Sequence, residues 1–196
     1  MVHLVLNAPC QAGERVQVQH GNLVFSDILD SQGSLDVMVP ALTSVADFSV
    51  VFANGASADA SAHVDSLVFY ERTVIRWTGD SGVELHAREF GASYGDEGHV
   101  WRERTRDLSA LVGGMGGYLT PLGNPGLPDA ARAEVYTFPS VTSTQSGRIS
   151  LSVEAEITPA NCGREITVIA NKIEAGEVTS TREMRLEIPA CDAVGQ

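Results

Sequence analysis

TVIRWTGDSGVELHAREF, residues 73–90, decides the fold class. On either side of its centre, residues 73–78 and 83–90 alternate apolar and polar side chains, the period of a half-buried strand. Gly79-Asp80-Ser81-Gly82 between them predicts a tight hairpin turn. The same alternation recurs at residues 15–19, 34–39, 47–52, 64–70, 99–104, 134–138, 149–157, 165–170 and 179–188, and the chain opens on VHLVL. Turn formers punctuate these runs at Gly21-Asn22, residues 30–33, Asn54-Gly55 and the glycine-rich 91–98 segment. Helical phase survives only at 104–111, because glycine and β-branched residues interrupt every longer stretch. The expectation is an all-β protein with mainly antiparallel strands and little helix, built as sandwich-like modules.

Two features suggest how many modules. GGMGGYLTPLGNPGLP, residues 113–128, is too rich in Gly and Pro for a helix or a central strand. An internal echo flanks it: GERVQV (13–18) follows Cys10 as GREITV (163–168) follows Cys162, and LDVMVPAL (35–42) lies over MRLEIPAC (184–191). Each copy reads as strand, turn, strand, turn, strand ended by Pro-Ala. The chain is therefore expected to hold two related β-sandwich-like modules: residues 1–107, a 108–133 connector, and residues 134–196. The second copy reads as truncated at Gln196, with a further strand to follow.

Charge narrows the partners. The 196 residues carry a formal charge of −12, and of 13 basic residues 12 are Arg and one, Lys172, is Lys. Such a surface repels phosphate backbones and anionic lipid, so nucleic acid is excluded as a partner and a protein or glycan is expected. No apolar run approaches the roughly 20 residues that a membrane helix needs, so direct membrane insertion is not expected. The three cysteines, at 10, 162 and 191, form no CxxC pair, which argues against a zinc or thioredoxin-type site. A Cys162–Cys191 disulfide within one copy is the preferred pairing; Cys10–Cys162 and three free thiols stay open.

Several strings invite a catalytic reading. GDSG at Ser81 and Gly91-Ala92-Ser93-Tyr94-Gly95 match fragments of two serine-hydrolase motifs. For Ser81, the paired bases His20 or His63 would crowd a two-barrel site into too little chain, and the hairpin reading is simpler. For Ser93, no helix follows and the last histidine, His99, lies too close in sequence to serve as a triad base. His86 and His99 across a hairpin are weak metal candidates, while alternation points His86 and Glu89 to opposite faces. Asp27, Asp30 and Asp36 lack the spacing and closing Glu of a calcium loop, and the glycines at 113–117 lack the Lys of a phosphate loop, which leaves a flexible connector. No catalytic set and no cofactor is expected. The 91–101 loop, with Tyr94, His99 and Trp101, joins aromatic faces to hydrogen-bonding tips and is the candidate surface for sugar or peptide.

LNAPCQAGERVQV, EFGASYGDEGHVW and EIPACDAVGQ resemble stretches of uncharacterised exported proteins from GC-rich alphaproteobacteria. That resemblance implies an envelope location, periplasmic or extracellular. The expected function is a non-catalytic structural or protein-interaction module of the cell envelope. The alternatives are carbohydrate binding through the 91–101 loop, and a hydrolase using Ser81, Ser93 or a His86/His99 metal.

Overall fold

The computed structural model describes residues 1–195; Gln196, where the second copy is expected to break off, lies outside the described residues. In chain order the elements are β1 (Val2–Asn7), β2 (Arg15–His20), β3 (Leu23–Ile28), β4 (Ser34–Val39), β5 (Val45–Phe52), β6 (Ser57–His63), β7 (Glu71–Thr78), β8 (Val83–Glu89), β9 (His99–Val100), α1 (Leu108–Val112), β10 (Tyr118–Leu122), β11 (Ala131–Phe138), β12 (Ile149–Ala155), β13 (Glu165–Glu174) and β14 (Glu177–Glu187). The strands form sheets β1-β4, β3-β2-β5-β6, β10-β11-β7-β13-β14 and β12-β8-β9, and every pairing is antiparallel. The molecule is all-β and sandwich-like, with one short α-helix.

At its centre, along β7 and β11, the five-stranded sheet is buried on both faces. Val74, Leu122, Ala133, Val135 and Ile173 on one face share a core with Val16, Val18, Phe25, Leu35 and Phe48 of the first strands. Ile75, Trp77, Leu119, Tyr136 and Val168 on the other share a second core with Val83, Leu85, Ala87 and Val100. Period-2 alternation along β7 and β11 therefore serves two cores at once. At roughly 25 cal/mol per Å² of apolar area removed from water, this double burial makes the sheet the principal stabilising element.

GDSG is not a hairpin turn. β7 pairs with β11 and β13, whereas β8 pairs with β12 and β9, so residues 79–82 carry the chain from one sheet into the facing one. The backbone groups of this arch bond outward: Gly79 N–H donates to Ala130 O at 2.9 Å, Asp80 N–H to Pro128 O at 2.9 Å, and Gly82 O accepts from Glu156 N–H at 3.3 Å. Gly79 and Gly82 sit at φ 87° and 62°, which their lack of Cβ permits. The arch wins because it brings Ile75 and Trp77 face to face with Val83, Leu85 and Ala87 across one core.

Other expectations also change. The ladder crosses both proposed module boundaries, since β7 lies between β11 and β13, and the 108–133 segment supplies α1, β10 and the start of β11. β10 accepts Pro121 because it is an edge strand, where a missing N–H is tolerated. The aligned copies differ: residues 10–47 contain β2, β3, β4 and the start of β5, while β13 and β14 form one hairpin turned at Ala175-Gly176, both at positive φ. Residues 64–70, expected as a strand, contain the 3-10 helix Asp65–Phe69, which buries Leu67 and leaves Val68 and Phe69 exposed. The helix at 104–111 begins only at Leu108, capped by Asp107, whose side chain accepts from Ser109 N–H at 2.8 Å.

The glycines of 113–117 are not a slack connector. A Cβ on Gly114 would meet Thr142 O at 2.1 Å, one on Gly116 the Arg106 and Glu89 side chains at 2.5 Å, and one on Gly117 the Tyr136 ring and hydroxyl at 2.6 Å. The run is glycine because backbone must pass hard against a buried charge cluster. Cys162 and Cys191 form a disulfide with Cα atoms 4.9 Å apart, and Cys10 is free and exposed.

Candidate functional site

Alternation on β8 places Glu84, His86 and Arg88 on the face away from the second core and Leu85, Ala87 and Glu89 toward it. The 91–98 loop then folds over the outer face. Gly91 and Gly95 take positive φ, Ser93 N–H donates to Asp96 Oδ2 at 2.8 Å, and Asp96 N–H donates to Ser93 O at 3.2 Å. The register Arg88 to His99 fixes His99 beside His86. Tyr94, His99 and Trp101 converge with His86 in one aromatic cluster. The His86 ring lies 5.1 Å from both the His99 and Trp101 rings in near-parallel planes, and Tyr94 meets His99 edge-on at 5.0 Å.

The hydrogen bonds of the two histidines specify their tautomers. His99 Nδ1 accepts from Gly95 N–H at 3.1 Å, so its proton is on Nε2, which donates to His86 Nδ1 at 2.8 Å. His86 then carries its proton on Nε2, facing Glu84 Oε2 at 3.3 Å. Burial, then the neighbouring His86, lowers the His99 pKa, which keeps that ring neutral. Both Nδ1 lone pairs are engaged in this chain, so the rings bond to one another and do not converge on a common point. Among the described residues no group of three or more His, Cys, Asp or Glu side chains is disposed to hold a metal ion.

Tyr94 is 54 % exposed, yet its hydroxyl donates to Glu154 and its ring lies under the Arg88 guanidinium at 4.7 Å. Burial acts to raise Glu154, but the Ser152 and Tyr94 hydroxyls, with the His86 ring and the Arg88 guanidinium nearby, hold it below the usual carboxylate range. The patch thus offers one exposed aromatic edge, a guanidinium and a carboxylate.

The serine candidates lack partners. Ser81 is buried, and its Oγ has no hydrogen bond. It stands in the arch beside Asn161, whose Nδ2 donates to the Ser81 carbonyl at 2.8 Å. Ser93 is exposed in the loop, and among the described residues neither hydroxyl bonds to a histidine.

Sequence reasoning missed two buried carboxylates. Glu89 accepts from Arg106 Nη1 at 2.7 Å, Gly117 N–H at 2.8 Å and Tyr136 O–H at 2.5 Å. Glu134 accepts from Leu85 N–H at 2.6 Å and Arg102 Nε at 2.7 Å, while burial raises its pKa. The available signal was an acid at a core-facing register of an alternating strand, as Glu89 is beside Leu85 and Ala87. Cavities of about 520 Å³ and 400 Å³ flank Phe90, the first lined by Glu89, Arg106 and Met115, the second by Thr73, Phe138 and Ser143. Phe90 itself adopts φ 55°, a strained conformation for a bulky residue.

The chain matches no protein-family model and none of the curated proteins.

Proposed function

We propose that this chain is a non-catalytic interaction module of the cell envelope that recruits a protein partner along the free edge of β14. The observation that carries the reading is that strand. Its 11 residues pair only with β13 among the described residues, every side chain from Glu177 to Glu183 is exposed, and its outer row of N–H and C=O groups is open. An unprotected edge of that length is a template for strand addition by an extended partner segment. The alternating charges Arg182, Glu183, Arg185 and Glu187 supply side-chain selectivity on top of the backbone bonds. The Cys162–Cys191 bridge, which ties the ends of the β13–β14 hairpin together, favours an oxidising, extracytoplasmic compartment. No helix among the described residues is long and apolar enough to cross a membrane. The charge of −12 continues to disfavour nucleic acid.

The test is site-specific photocrosslinking in cells. A probe at Ser180 should capture one discrete partner, and a probe at Asn54, in the β5–β6 turn, should not. Equal labelling from both positions, or none from Ser180, refutes the edge reading. Thiol trapping before lysis should modify Cys10 alone; free Cys162 and Cys191 would contradict the envelope location.

A second reading is glycan binding at Tyr94 and Trp101, favoured by the exposed Tyr94 ring beside a guanidinium and a carboxylate. A glycan-dependent change in tryptophan fluorescence that Tyr94→Ala abolishes supports it; no response across a broad glycan set rules it out.

A further inference from the structure

Arg72, on β7, is 4 % exposed, and its Nε and Nη1 are shielded from solvent with no hydrogen-bond partner. The other buried arginine, Arg132, leaves its Nε unpartnered but anchors its Nη groups, whereas Arg72 makes no hydrogen bond or ion pair among the described residues. Arg132 donates to the Pro125 and Leu127 carbonyls and faces Asp80, and Arg106 pairs with Glu89. The chain has 25 acidic residues, so a shortage of carboxylates is not the cause. The acid next to Arg72 in sequence, Glu71, lies on the opposite face of the strand with Lys172, 3.6 Å away.

Register places the Arg72 side chain opposite Thr137 and Ile173, on the face that Val74, Val135 and Ile173 turn toward the first core. Its surroundings are the Tyr70 ring, 5.5 Å from the guanidinium carbon, and Tyr118, whose hydroxyl donates to Met1 Sδ. Nearby His20 brings no negative charge: its Nδ1 faces the Asp47 carbonyl and its Nε2 accepts from Leu42 N–H, each at 2.8 Å. Thr137 is fully buried, and its Oγ1 has no hydrogen-bond partner either. A buried cation and a buried hydroxyl, directly across one ladder rung, both hold donors without acceptors. A tyrosine face offsets only part of the cost of desolvating a guanidinium.

We infer that Arg72 and Thr137 bind a single halide ion in the seam between the five-stranded sheet and the first core. The free groups on the guanidinium and hydroxyl are donors, which selects an anion. The apolar neighbours Val74, Val135 and Ile173 favour a monatomic one, because they offer the outer oxygens of a phosphate or sulfate no donor; the Met1 ammonium and the Tyr118 hydroxyl are the other donors near Arg72. The ion is a structural ligand of the fold, separate from the 91–101 cluster and from the β14 edge.

The experiment measures unfolding at constant ionic strength while sodium chloride replaces sodium gluconate, and locates bromide by anomalous diffraction from crystals grown in sodium bromide. An ion bound by the folded chain and not by the unfolded one lowers the unfolding constant about tenfold for each tenfold rise in chloride above its Kd. A bromide peak is expected against the Arg72 guanidinium. Arg72→Met, folded by circular dichroism, should lose both the chloride slope and the peak. A flat slope in the wild type, a slope that Arg72→Met retains, or water alone beside Arg72 in the bromide crystal overturns the inference. Should Arg72→Met fail to fold, Thr137→Val serves instead, with a weakened slope expected and an unchanged one decisive against; the bromide crystal needs no variant.

Discussion

Replacing Glu89 with alanine removes one carboxylate, strands two donors and unpairs the Arg106 charge. The side chain of Glu89 is fully buried, and the Tyr136 hydroxyl and Gly117 N–H that it receives at 2.5 and 2.8 Å lie in the same interior. Each orphaned buried donor costs about 1–3 kcal/mol. Arg106 suffers less, because its Nη1 keeps the Gly117 carbonyl and its Nη2 the Glu97 carbonyl, both at 3.0 Å. Breaking a buried pair in this way destabilises by about 3–5 kcal/mol in total. With a urea m-value of about 2 kcal/mol/M, the midpoint should fall by about 1.5–2.5 M at unchanged m. Glu89→Gln keeps the shape and loses the charge, so its loss should be about 1–2 kcal/mol, the difference between charged and neutral hydrogen bonds. Tyr136 contributes through its proton: burial and the Glu89 charge push its pKa far above the ordinary tyrosine value, so it remains a donor in alkaline buffer. A double-mutant cycle of Glu89→Ala with Tyr136→Phe should therefore show coupling of about 1 kcal/mol or more. A Glu89→Ala loss under about 1 kcal/mol, or additive single losses, would refute the claim that this cluster is energetically connected.

Burial lowers the His20 pKa, so its neutral form contributes stability that is complete above about pH 6.5, its unfolded value, and is lost as pH falls through the lower folded value. Urea unfolding at pH 7.5 and 5.5 should show the loss, and His20→Gln should flatten the slope; equal stability at the two pH values contradicts it. Glycines should separate by contact: Gly117→Ala, with its Cβ 2.6 Å from Tyr136, should cost about 2 kcal/mol or more. Gly21→Ala meets nothing within 4 Å and has only its φ of 55° to accommodate, about 1–2 kcal/mol; thermal unfolding that ranks them the other way counts against the packing argument. Opening the Cys162–Cys191 bridge by a double Cys→Ala change should cost about 3–4 kcal/mol, from the 29-residue separation that it closes; an unchanged midpoint would mean the hairpin is already constrained by its ladder.

Alternation made Val83–Glu89 and Ile149–Ala155 legible as strands, because one face of each is apolar and the other polar. It did not reveal the partners. GDSG satisfies a hairpin locally, and only the need to cover Ile75 and Trp77 with Leu85 and Ala87 turns it into an arch. Ser57–His63 has no apolar rhythm, since an edge strand is held by the β5 ladder and its side chains remain largely in solvent. Tyr94, His99 and Trp101 were readable as a group from composition. Their tautomer chain to Glu84 was not, because it depends on the rung that sets Arg88 against His99. Glu89 and Glu134 were missed although each stands at a core register of an alternating strand, and naming their Arg partners required the path of 102–117 over the second core.

The placement of β7 also governs how the chain is made. Its ladder partners are Ala131–Phe138 and Glu165–Glu174, both synthesised after it. At about 5–20 residues per second, β7 waits on the order of 5–20 s after its own synthesis before its second neighbour exists. Until Phe138 is made both edges of β7 are open, and the edge that β13 will take stays open until residue 174. The first strands, β1 to β6, can gather meanwhile, yet one wall of their core is still missing. Folding of this protein is therefore a late, chain-wide event, and the nascent chain between residues 78 and 174 is the stage at which a holdase chaperone or an export factor would find it open.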